Sequence, residues 1–134
     1  MNIDCILGNE PVAYVPVFGG ERAKCADPDY HPVIFQLLPM TVEQYESSGE
    51  LVRRVDDESG EVGFSVKPEK VEEILARHVV GIENLFVAGG EPVADGKVFA
   101  DCRKKATSAV APLFMEILAA IRDLSVLSEG MRKN

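Results

Sequence analysis

PEKVEEILARHVVGIENLFVAGGEPV, residues 68–93, carries a helix, a strand and a turn in direct succession. Val71, Ile74, Leu75, His78 and Val79 recur at helical spacing, which lays them on one face of a helix. Pro68 opens that helix, because its missing N–H would be unpaired in a first turn anyway. Glu69, Glu72 and Glu73 stand in the first turns, where the helix dipole favours negative charge, and Glu73 with Arg77 forms an i,i+4 pair. After Val79 the apolar period shortens towards two, so Gly81 reads as the end of the helix and VGIENLFV as a strand. Ala88-Gly89-Gly90 follows as a turn whose glycines tolerate positive φ, and Glu91-Pro92-Val93 leads away on the return arm.

Upstream the chain reads as β structure. VAYVPVF (12–18) and VIFQLL (33–38) are short apolar runs joined by the polar, turn-forming GGERAKCADPDYHP. Pro16 confines the first run to an edge strand or a bulge. The second is continuous and bounded by Pro32 and Pro39. Thr41 and Gln44 then have the spacing of a capping box, predicting a short helix over about 42–48 that Gly49 closes. LVRRVDDESGEVGFSV (51–66) alternates on either side of DDESGE and reads as a hairpin, with a loop as the alternative.

Downstream the pattern is helical. Val98, Phe99, Cys102 and Ala106 fall on one side of a helix beginning near Val98, opposite Arg103, Lys104 and Lys105. Thr107 or Ser108 can cap a further helix that tolerates Pro112 in its first turn. Val110, Leu113, Phe114, Ile117, Leu118, Ile121 and Leu124 form the strongest amphipathic stripe of the chain. SEGMRKN, after Leu127, has nothing left to bury and is expected to fray. The class is therefore α+β: a small antiparallel sheet with hairpins in the N-terminal half, packed on helices, and amphipathic helices at the C-terminal end. Residues 1–127 make a single domain and 128–134 a flexible tail.

With 134 residues, 46% of them apolar and 27% charged, the chain can own a core. Its net charge of −8 is uneven: residues 1–96 hold 7 Lys/Arg against 18 Asp/Glu, and residues 97–134 hold 7 against 4. An acidic body excludes nucleic acid as the natural partner, since phosphates are bound by Lys and Arg. The acidic start MNIDCILGNEP does not read as a signal peptide, and no run approaches a membrane span. A cytoplasmic protein is expected.

Catalytic chemistry finds little footing. Cys5, Cys25 and Cys102 fit neither a zinc nor a redox spacing and read as reduced, partly buried thiols. His31 reads as a surface imidazole and His78 as a core-edge one. Asp56, Asp57 and Glu58 lack the alternation of a calcium loop. Gly19-Gly20 and Gly89-Gly90 fit neither G-x-G-x-x-G nor G-x-x-x-x-G-K-[ST]. GGEPVA (89–94) nearly repeats GNEPVA (8–13), but DGKVFAD follows one and YVPVF the other, so the likeness stops at two turns. No catalytic residue, cofactor or metal site is expected. The candidate partner-binding residues are Val110, Leu113, Phe114, Ile117, Leu118 and Ile121, which could lie in a partner's groove or pack on the chain's own strands.

Three segments in order carry a family resemblance: VIFQLLPMTVEQYE (33–46), HVVGIENLFVAGGEPV (78–93) and APLFMEILAAIRDLSVLSE (111–129). Together they span about half of the chain, which in this respect resembles the small tail assembly chaperones of long-tailed bacteriophages and prophages. Ile82 stands where such proteins commonly have Trp, and the Gly/Pro-rich first thirty residues depart from the pattern. The resemblance implies a non-enzymatic protein that coats, binds and solubilises the tape-measure protein in the bacterial host cytoplasm before the tail tube polymerises. It also implies absence from the finished virion; the tail tube protein and a homo-oligomer are further candidate associations. In many such proteins a ribosomal frameshift near the gene's end makes a longer product, and Lys133-Asn134 would be encoded by A-rich codons. The alternatives are a structural tail or neck subunit and, more distantly, an enzyme with Cys102 as nucleophile.

Overall fold

The computed structural model describes residues 10–41, 43–44, 52–55, 62–65 and 68–132, with 52–55, 62–65 and 126–132 described by their backbone. The architecture is α+β. Strands β1 (Val12–Tyr14), β2 (Ile34–Leu37) and β5 (Val79–Glu83) form an antiparallel sheet in the order β1-β2-β5, and β3 (Val52–Val55) pairs with β4 (Val62–Ser65) in a separate hairpin. The helices are α1 (Glu21–Lys24), α2 (Pro68–His78), α3 (Gly96–Lys105) and α4 (Ala111–Arg132).

The continuous run bounded by two prolines takes the centre of the sheet, where both edges of β2 are paired. Phe35 and Leu37 alternate inward with no exposure, while Ile34 and Gln36 face the other way. Proline acts on the first run as its chemistry requires: β1 stops at Tyr14, occupies an edge, and is followed by a fully buried Pro16. The connection onward is more ordered than a turn. It holds a 3-10 turn over Phe18–Gly20 and then α1, whose Glu21 carboxylate accepts from the Tyr30 hydroxyl (2.9 and 2.7 Å) and the Val33 amide (3.3 Å).

The helix-to-strand junction lies earlier than the glycine suggested. α2 ends at His78 and β5 starts at Val79, so Gly81 stands inside the strand, with Gln36 across from it. The junction is fixed by the Leu38 amide, which donates to the His78 carbonyl at 2.8 Å. Between Leu37↔Val79 and Gln36↔Gly81, β2 advances one residue and β5 two, which makes Val80 the extra residue of a β-bulge. The bulge turns Val80 outward and lets Val79 and Ile82, three apart, both face the core.

The core is helical on one side and sheet on the other. Val71, Ile74 and Leu75 of α2, Phe99 and Ala100 of α3, and Leu113, Phe114, Ile117, Leu118 and Ile121 of α4 meet Phe35, Leu37, Val79 and Ile82. Phe99 is stacked on Phe114 (centroids 4.5 Å, 23°) and meets Phe35 edge-on (5.1 Å, 67°), favourable geometries for rings of this quadrupole. Each such side chain contributes roughly 1.5–3 kcal/mol on leaving water.

Asp95 caps α3 through its carboxylate, which accepts from the Val98 amide at 2.9 Å. The helix starts earlier than Val98, and its inward face is centred on Gly96, Phe99 and Ala100, which are buried, while Val98, expected inside, is 40% exposed. Thr107 precedes a 3-10 turn over Ser108–Val110 without a side-chain cap bond. α4 runs from Ala111 to Arg132. The capping box forms as expected, with the Gln44 amide donating to Thr41 Oγ1 (3.2 Å) and the Thr41 amide to Gln44 Oε1 (2.9 Å). Residues 42 and 45–48 of that helix, Gly49 that is expected to close it, the DDESGE turn, Cys5 and Lys133-Asn134 lie outside the described residues.

Candidate functional site

Two features organise the surface, one polar and one apolar. The polar one centres on Glu116, the single charged residue in APLFMEILAAI. Its carboxylate accepts from the Tyr14 hydroxyl (2.6 Å), the Val17 amide (2.7 Å) and the Phe18 amide (3.0 Å). The Arg22 guanidinium lies 5.0 Å from the centre of the Tyr14 ring, and its Nε donates to the Val15 carbonyl at 2.7 Å. Partial burial pushes the Glu116 carboxyl up, but the three donors and the Arg22 charge together outweigh it and hold the group below its ordinary value. Burial, with the adjacent carboxylate, lifts the Tyr14 hydroxyl to about 12. A low-pKa acceptor facing a high-pKa donor is suited to holding a hydrogen bond, not to moving a proton. The arrangement pins the segment after β1 onto α4.

The apolar feature is a hairpin formed by residues 82–94. The Ile82 amide donates to Ala94 O (2.9 Å), Val93 to Leu85 O (2.8 Å), Val87 to Glu91 O (2.9 Å) and Gly90 to Val87 O (2.8 Å), and Phe86 bridges to Pro92. Gly90, at φ 87°, is the left-handed residue of a three-residue loop Ala88-Gly89-Gly90, whereas Gly89 is not left-handed. Asn84 at φ 63° ties the base, its side-chain amide donating to the Pro32 carbonyl at 2.8 Å. The hairpin buries Val93 but presents Phe86, 61% exposed, with Val87 beside it. Identical letters thus serve different ends: Val93 of GGEPVA is core, while Val12 of GNEPVA sits exposed at the start of an edge strand.

The residues expected to meet a partner face inward. Leu113, Phe114, Ile117, Leu118 and Ile121 are buried in the chain's own core and Val110 is partly buried against it, so the amphipathic stripe is intramolecular packing. The residues a binding surface would use instead are those the apolar count missed, Phe86 above all. The available signal was its position beside a Gly-Gly turn, where neighbouring backbone cannot cover a ring. Glu116 was legible too, as a lone acid in an apolar helix.

The remaining chemistry-bearing groups are dispersed. His78 is buried, with an Nδ1 that has no hydrogen-bond partner among the described residues, and burial lowers its pKa against a backbone bond to Leu38. It borders a depression of about 50 Å³ with Met40, Gln44, Lys70, Glu73 and Arg77. Cys102 is half-buried against the core, and Cys25, expected partly buried, is exposed, its Sγ donating to the Glu21 carbonyl at 3.3 Å. His31 is exposed, as expected. Among the described residues no three His, Cys, Asp or Glu side chains are grouped to hold a metal ion, and no helix is long and apolar enough to cross a membrane. No family model, curated protein or solved structure matches the chain.

Proposed function

We propose that the chain is a non-enzymatic tail assembly chaperone of the bacteriophage type, which binds and solubilises the tape-measure protein in the host cytoplasm. The observation that carries this reading is that the three family-like segments, far apart in sequence, pack as one unit. VIFQLLP forms the central strand, HVVGIENLF its neighbour and the exposed hairpin, and APLFMEILAAI the helix that closes the core over both. A signature made of packing residues is what a protein working through its surface would keep. The partner meets the outside of this unit, since the stripe on α4 is already occupied. Co-expression with the tape-measure product of the same locus is the test: a soluble, co-purifying complex is expected. An insoluble partner, or recovery of the chain from finished particles, would remove the reading, and the latter would favour a tail or neck subunit.

A further inference from the structure

Phe86 has a complement elsewhere on the same chain. Between the end of α3 and the start of α4 lies a depression of about 270 Å³, lined by Arg103, Ala106, Thr107, Ala111, Phe114 and Met115. A dry cavity of about 150 Å³ takes a benzene ring, so the space suffices for a benzyl side chain. Ala106, Ala111, Phe114 and Met115 give it apolar walls, and Arg103, Thr107 and Ser108 complete the lining.

Charge matches where size does. The hairpin that carries Phe86 also carries exposed Glu83 and Glu91, and no basic residue stands between them. The depression is bordered by the last turn of α3, which holds Arg103, Lys104 and Lys105. Lys104 is engaged with Glu72 of α2 at 3.6 Å, a solvated pair that a stronger contact could share. The unlike charges lie at the knob and the hole themselves, where they act locally against the mutual repulsion of two chains of net charge −8.

From this complementarity we infer that the chain self-associates, Phe86 of one copy entering the depression between α3 and α4 of another, with Glu91 facing Arg103. The contact joins two different patches, so each copy still offers a knob and a hole after pairing. It does not depend on the chaperone reading and needs no other protein.

Sedimentation velocity on the full chain, across a wide concentration range and at low and high salt, tests it. Association that strengthens with concentration is expected at both salt levels, since salt screens the local attraction and the overall repulsion alike. Phe86→Asp and Ala111→Glu, both at exposed positions, should each weaken it about tenfold or more, the effect of losing a buried aromatic anchor. Unchanged thermal melts by circular dichroism verify folding, and Phe86→Ser replaces the first variant if it melts early. The deciding measurement mixes the two variants. One retains an intact hole and the other an intact knob, so the mixture should form a two-chain species that neither forms alone. A wild type that stays monomeric, variants that associate like the wild type, or a mixture that stays monomeric would each overturn the inference.

Discussion

The Tyr14 hydroxyl donates a 2.6 Å hydrogen bond to Glu116 Oε2, joining positions 102 residues apart. With the Val17 and Phe18 amides on the same carboxylate, it fastens the segment after an edge strand to the longest helix. Glu116→Gln keeps the shape and removes the charge that strengthens all three bonds. Hydrogen bonds to charged groups contribute about 1.5–3 kcal/mol, and partial exposure places this loss at about 1–2 kcal/mol, read as a lower urea midpoint.

The same cluster sets a pH window. Glu116 has a folded pKa below its ordinary 4.5, so its contribution is complete above that value and is lost as pH falls through the lowered one. Tyr14 is the reverse case: raised from 10.0 to about 12, it stabilises fully below pH 10 and loses that contribution as pH rises towards 12. Tyr14→Phe should remove a late-titrating phenol from the ultraviolet absorbance titration and flatten the alkaline end of the stability profile. A titration curve unchanged but for the loss of an ordinary tyrosine would contradict this.

His78 predicts the behaviour near neutrality. Burial lowers its pKa below the ordinary 6.5, so the folded chain excludes a proton that the unfolded chain accepts as pH falls. The stabilisation of the neutral form is present above 6.5 and is lost below it. His78→Leu should flatten the stability profile on the acid side of 6.5 while leaving the Glu116 transition in place, as chemical denaturation at several pH values would reveal.

How far the sequence spoke for itself can be judged from neighbouring residues. Periodicity placed Val71, Ile74, Leu75 and His78 inside and opened α2 at Pro68, because an amphipathic face and a missing N–H are local facts. It misplaced the end of α2 by reading Gly81 as a stop, since the β-bulge at Val80 depends on pairing with β2. It put Val98 inside beside Phe99, although the two are about 100° apart on the helix and the face that packs is centred on Gly96, Phe99 and Ala100. The stripe of α4 was found correctly, but whether an apolar face meets a partner or its own sheet is decided by Phe35 and Phe99, and no local pattern contains them.

Gly96 shows a steric constraint of the same non-local kind. A Cβ there would collide with the Leu75 and Val79 carbonyls, both backbone atoms that cannot swing aside. Helix propensity alone makes Gly→Ala favourable by about 1 kcal/mol. The collision wins, because separating α2 from α3 also disturbs the buried Leu75, Val79 and Phe99. Gly96→Ala should therefore destabilise by about 1–3 kcal/mol in urea, as overpacked cores do. A stabilised variant would show that the two helices do not approach this closely.

Gly89 and Gly90 stand side by side in the hairpin, and alanine should separate them. Gly90 is at φ 87°, where an L-residue is strained by about 1–2 kcal/mol. Among the described residues neither glycine has a neighbour that a methyl group would strike, so the backbone angle sets the difference. Gly90→Ala should cost about 1 kcal/mol or more and raise amide exchange at Val87 and Val93, whose hydrogen bonds close the hairpin. Gly89→Ala should stay within about 0.5 kcal/mol of the parent and leave both amides protected. Because the loop aims Phe86, the first variant should also weaken any contact made by that ring and the second should not.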